Sequence, residues 1–165
     1  MKPGTRESGA TVTLPADEQI LITREFDAPR HLVYRAWTTP ELVRRWWAGL
    51  RGEVTLAEID LRVGGAWRVV MTARDGSEVG FHGEYREIVP GERIVFTEAY
   101  EGPWPEGDPA LNTLTLTAEE DGRTTLALLM QLASREERDA IIATGMELGM
   151  REQMDALEQI AASLR

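Results

Sequence analysis

From Val54 to Leu132 the chain is a succession of strand-like runs joined by turn signals, with no helical segment between them. Parallel neighbours need crossover connections of about a dozen residues or more, usually helical, so these strands must pair antiparallel. The spacing predicts strands near Val54–Leu61, Ala66–Thr72, Val79–Val89, Arg93–Tyr100, Leu111–Ala118 and Arg123–Leu132. Asp75-Gly76, Pro90-Gly91 and Asp121-Gly122 break the runs, the last as a tight hairpin would. Glu101–Ala110 holds three prolines, two glycines and Trp104, which predicts a longer exposed loop of the kind that borders binding sites.

Helical signals flank this block. Ile20–Phe26 reads as a strand; Asp27-Ala28-Pro29 then supplies a capping carboxylate and an early proline for a helix carrying Val33, Ala36 and Trp37. Thr39-Pro40 opens a second short helix with Leu42, Val43, Trp46 and Trp47 on its apolar face. At the other end, Ser134 and Glu137 form a capping-box pattern, and one long helix is expected to run to Leu164 with only Gly145 and Gly149 against it. Its apolar residues Ile142, Met146, Gly149, Met150, Met154, Leu157, Ile160 and Leu164 recur three and four apart, so one stripe faces the sheet. The expected architecture is α+β: a flexible lead-in over 1–18, then a single domain over 19–165.

Composition removes several function classes. The 28 acidic against 18 basic residues give a net charge of -10, which repels nucleic acid. Without cysteine there is no thiolate nucleophile or thiolate metal site, and the two histidines, His31 and His82, have no metal-ligand spacing. None of Ser8, Ser77, Ser134 and Ser163 sits in a nucleophile elbow, and the Gly64-Gly65 and Gly80–Gly83 segments match no phosphate loop. Neither a leader nor a membrane-spanning run is apparent, which points to a cytoplasmic protein without membrane insertion, metal or cofactor.

Strand parity then identifies candidate lining residues, because residues two apart share a face. Trp67, Val69 and Met71 form one set, and Phe81, Gly83 and Tyr85 another, with room at Gly83 and with His82, Glu84 and Arg86 pointing outward. Leu114 and Leu116, with Leu126, Leu128 and Met130, continue the face, and Met146, Met150 and Met154 offer a polarizable surface on the helix. Any of these residues has ordinary core packing as its commoner use. Glu98 shares parity with Ile94 and Phe96. An inward Phe96 carries its carboxylate into the interior, whereas an inward Val95, Thr97 and Ala99 would leave it in solvent. Asp60 and Arg62 read as a surface ion pair.

Three segments carry a family resemblance. "REFDAPRHLVYRAWTTPELVRRWW" resembles the opening signature of the START-related (SRPBCC) superfamily, "EIDLRVGGAWRVVM" its acidic strand followed by a double glycine, and "FHGEYREIVPGERIVFT" its glycine strand and proline turn. The nearest branch is that of homologues of the activator of the heat-shock chaperone ATPase, although Gly145-Met146 stands where that branch usually has Gly-Trp. The resemblance implies a helix-grip fold, a curved antiparallel sheet wrapped around a long C-terminal helix, and an apolar small-molecule ligand held between them by a monomer or homodimer. Two other readings remain. One is a cyclase- or dehydratase-like enzyme using Glu98, Tyr85 or His82 as acid or base. The other is a chaperone-interaction or other protein-interaction module anchored by exposed Trp46, Trp47 or Trp104.

Overall fold

The structure, a computed structural model, describes residues 10–101 and 109–165. Its elements run β1 (Thr11–Thr13), β2 (Gln19–Phe26), α1 (Arg30–Thr38), α2 (Pro40–Trp46), β3 (Gly52–Ile59), β4 (Ala66–Ala73), β5 (Glu78–Val89), β6 (Arg93–Glu101), β7 (Ala110–Ala118), β8 (Thr124–Gln131), α3 (Arg135–Ala143) and α4 (Met146–Ser163). The strands form one antiparallel sheet in the order β1-β2-β8-β7-β6-β5-β4-β3. Register shifts at Val54/Leu56 and Tyr85/Glu87 bend β3 and β5, and such bulges add the curvature that lets a sheet wrap a helix. This is the expected α+β helix-grip fold.

Three local expectations are corrected. Part of the lead-in is strand: Thr11–Thr13 pairs with Leu21–Thr23 as an edge, and the adjacent Ala10 is buried. Three residues of alternating polarity carry too little periodic signal to be read as a strand without their partner. Asp27 does not cap α1, because Pro29 holds the N-cap position and no side chain bonds there; the Asp27 amide instead donates to Glu158 Oε2 at 2.8 Å. Thr39 likewise stands at the N-cap of α2 without a side-chain bond, while Pro40 takes the first position.

The third correction concerns the terminal helix, which is two helices. Ser134 caps α3 by accepting the Glu137 amide at 3.1 Å, but α3 ends at Gly145, whose φ of +80° is a left-handed conformation glycine adopts without steric cost. Ile142 therefore leaves the stripe of α4 and is exposed. The chain turns there so that α3 can reach the β1–β2 connection, where the buried Arg138 donates to the Ala16 carbonyl at 3.0 Å. Gly149 meets a different need: a Cβ there would lie 2.6 Å from the Arg51 guanidinium carbon, and Arg51 donates to the Gly145 carbonyl at 3.2 Å.

The core lies between α4 and the concave face of the sheet. Met154, Leu157 and Ala161 of α4 share it with Ile20, Ile22 and Phe26 of β2, Leu126 and Leu128 of β8, and Leu32, Val33 and Ala36 of α1. One inward position of β2 is not apolar. Arg24 follows Ile20 and Ile22 on the buried face, and its guanidinium meets Asp155 at 2.5 Å and Glu158 at 2.7 Å on α4 while standing 5.2 Å from the Phe26 ring centre. A buried cation must be paired, and only α4 supplies the carboxylates, so this contact fixes the rotation of the helix over the sheet.

Arg24→Ala removes a buried guanidinium together with its charge-assisted bonds to two partly exposed carboxylates and is expected to cost about 2 kcal/mol in urea unfolding. Asp155→Asn, whose side chain is 49% exposed, should cost under about 1 kcal/mol. Equal losses for the two variants would contradict a role for the pair in seating α4.

Candidate functional site

The alternation inferred for the inner face holds. Trp67, Val69, Tyr85, Phe96, Leu114, Leu128 and Met154 are buried in one apolar cluster, and Met71, Phe81, Met146 and Met150 pack against it half-exposed. His82, Glu84 and Arg86 stand on the opposite face in solvent.

The room expected at Gly83 is filled. Gly83 pairs with Trp67 of β4, and the indole crosses over it so that Nε1 donates to the Thr97 carbonyl at 3.1 Å. A Cβ at Gly83 would come within 1.7 Å of that carbonyl oxygen and 2.6 Å of Trp67 Nε1. Thr97 also receives the Glu84 amide on its hydroxyl at 2.9 Å, so side chains replace the ladder bonds between the His82↔Ala99 and Tyr85↔Phe96 pairs. Glycine and tryptophan here work as one unit, which sets the Trp67 ring flat against the floor of the interior.

A chain of aromatic contacts continues from this floor. Trp67 touches Phe96 at 5.8 Å and Trp47 at 5.8 Å between ring centres; Trp47 reaches Phe81 at 6.1 Å, and Phe81 reaches Tyr100 at 5.5 Å. Trp47 is held between sheet and helix because its carbonyl accepts the Gln153 side chain of α4. Burial is graded along α4. Met154, Leu157 and Ala161 are at most 1% exposed, whereas Met146 and Met150 near its start, like Trp47, Met71 and Phe81, keep accessible surface and Tyr100 is 42% exposed. Ile160 and Leu164, towards the end of α4, are likewise only partly buried, so the closed positions of the helix are Met154, Leu157 and Ala161, with accessible apolar side chains on either side of them.

One polar pair lies within this apolar face. Glu98, half-buried, follows the buried Ile94 and Phe96 on the inner side of β6, which decides between the two alternatives left by parity, and its Oε1 accepts from Asn112 Nδ2 at 2.6 Å. Burial raises the Glu98 carboxyl above its ordinary range, partly opposed by the Asn112 bond. Asn112 is 1% exposed, and its Oδ1 accepts no hydrogen bond from the described residues. The sequence reading passed over Asn112, although it shares parity with Leu114 and Leu116 and interrupts an apolar alternation. Tyr85 is on the same face, and burial, with a smaller contribution from Tyr34, raises its phenol so that it stays protonated.

Other candidates fall elsewhere. His82 is on the outer face, where its Nδ1 lies 2.8 Å from Glu101; Arg68 grips the same carboxylate and is the main reason Glu101 is held below the usual range. His82 therefore cannot serve the interior with Glu98 and Tyr85. Trp46 is not an exposed anchor: it is 1% exposed and donates to the Ala36 carbonyl at 2.9 Å. Trp47 is half-buried, and Trp104 lies outside the described residues. Asp60 and Arg62 form the expected exposed pair at 2.9 Å. A depression of about 380 Å³ between Gly49–Gly52 and Thr72–Arg74 opens on the surface and includes none of the lining candidates. Among the described residues, no group of three or more His, Asp or Glu is arranged to hold a metal, and no helix is long and apolar enough to cross a membrane.

Residues 27–162 match the family described as Activator of Hsp90 ATPase homolog 1-like protein. A crystal structure of a protein from Rhodobacter sphaeroides superposes with a TM-score of 0.85 at 27% identity, covering 94% of this chain and 99% of that one. Proteins from Mycobacterium smegmatis (TM-score 0.80, 25% identity, 94% and 97% covered) and Chromobacterium violaceum (0.77, 28%, 88% and 98%) are similarly alike. No curated protein matches the chain in sequence.

The raised Glu98 carboxyl has a stability consequence. Its proton is bound more tightly in the folded than in the unfolded chain, so the contribution is complete below the ordinary value of 4.5 and is lost as pH rises through the higher folded value. Glu98→Gln should match the parent protein in denaturant unfolding at about pH 4 and exceed it at about pH 8. A stability difference that does not change with pH would show that the carboxyl is not desolvated.

Proposed function

Because the chain belongs to the family of Activator of Hsp90 ATPase homolog 1-like proteins, we propose that it binds an apolar small molecule between the sheet and α4, beside the first turns of that helix. The fold is one known for hydrophobic ligand binding. The observation that carries the reading is a group of aromatic and methionine side chains, Trp47, Met71, Phe81, Met146 and Met150, that pack against the apolar cluster yet remain accessible, whereas Met154, Leu157 and Ala161 of α4 are closed. Accessible apolar side chains around a few inward polar groups are what a small-molecule site offers. Trp67, Val69, Tyr85, Phe96, Leu114 and Leu128 form its floor, and Met154 closes its inner end.

An enzyme acting in the same place is the second reading. It is favoured by the shared face of Tyr85 and Glu98, a protonated phenol and a carboxyl poised above its ordinary range, and it no longer includes His82.

The two methionines at either side of the proposed boundary separate a site from a packed core. Met154→Ala is expected to cost about 2 to 5 kcal/mol, because the buried thioether leaves a void. Met150→Ala, at the accessible end, should cost under about 2 kcal/mol and change the uptake of an apolar fluorescent probe. Native mass spectrometry of the purified protein would identify a retained molecule. Equal losses for the two variants, with no probe bound by the parent protein, would favour a packed core and remove the proposal.

A further inference from the structure

One pair of polar side chains on the inner face, the half-buried Glu98 and the buried Asn112, has acceptor atoms with no donor among the described residues. Glu98 Oε1 already accepts from Asn112 Nδ2, which leaves Glu98 Oε2 and Asn112 Oδ1 as acceptors. No Arg, Lys or His among the described residues pairs with Glu98, in contrast to Arg24, whose charge is matched by two carboxylates. Asn112 Oδ1 is buried and accepts nothing among the described residues, which in a folded interior is unusual and costly. Phe96 precedes Glu98 on the same face and meets Trp67 edge-on at 5.8 Å and Tyr85 at 6.5 Å.

Resting on the binding function proposed above, we infer that the ligand carries a protonated amine, donated to Glu98 and Asn112 Oδ1 while its hydrocarbon part lies against Trp67 and Phe96. Two acceptors without a donor call for a group with at least two N–H bonds. A carboxylate without a protein cation calls for a positive one, and rings present their negative faces to it. A neutral alcohol offers one donor and no charge, so it satisfies one acceptor and leaves the other unpaired.

The test compares two ligands of matched shape, cyclohexylmethylamine and cyclohexylmethanol, by calorimetric titration of the full chain. The amine is expected to bind about tenfold tighter or more, the usual worth of one charge-assisted hydrogen bond over a neutral one. In Glu98→Gln, which keeps the shape of the side chain, that preference should vanish while the alcohol still binds. Asn112 side-chain amide signals in the spectrum of the parent protein should shift with the amine, a readout independent of the variant's folding. Equal affinity for the pair, or a preference that survives Glu98→Gln, overturns the amine inference and leaves the apolar site standing. Binding of neither ligand, nor of an apolar fluorescent probe, overturns both.

Discussion

The seating of α4 on the concave face of the sheet is the contact on which the remaining structure depends, and it is fixed by a charge rather than by hydrophobic burial. An apolar stripe tolerates sliding and small rotations because its attraction has no direction. Arg24 does not: its guanidinium is closed off by β2 and by α4, and its two carboxylate partners sit three residues apart on one helix face. With the rotation set, Met154, Leu157 and Ala161 point into the core, and Met146 and Met150 pack against it half-buried.

That asymmetry gives the interior two ends of different character. One is a conventional core shared by α1, α4, β2 and β8. The other is an aromatic platform, in which Trp67 is held flat by its bond to Thr97 across Gly83, and Trp47 bridges from the α2 end to Phe81. A rigid platform suits recognition, because a ligand settling on it would order few side chains that are not already fixed. Met146 and Met150 pack against the same apolar cluster, and methionine is the side chain that fits irregular apolar surfaces most readily.

Polar groups placed in such a setting are expensive, so their arrangement is informative. Arg24 is fully matched, and Trp46 and Trp67 each place their single N–H on a main-chain carbonyl. Glu98 and Asn112 are satisfied by each other only in part.

The sequence by itself determined the strands other than β1, their antiparallel pairing and the faces of most of them, because a period of two residues and turn dipeptides are local properties. It pointed to Trp67, Phe81 and Tyr85 as residues of a shared interior, and the three quoted segments made the family legible. It could not tell whether Glu98 pointed in or out, since Val95 and Phe96 are both apolar and either parity was consistent. It also passed over Arg24 and Asn112, as a polar residue inside an apolar alternation acquires meaning only from partners far away in the chain: Asp155 and Glu158 for the one, Glu98 for the other. Helical periodicity ran unbroken through Gly145, where a left-handed glycine separates α3 from α4 and Arg138 of α3 bonds the distant Ala16 carbonyl. What the tertiary structure decided is therefore the placement of charge, hydrogen bonds and bends, because these depend on pairings across the fold rather than on the pattern along it.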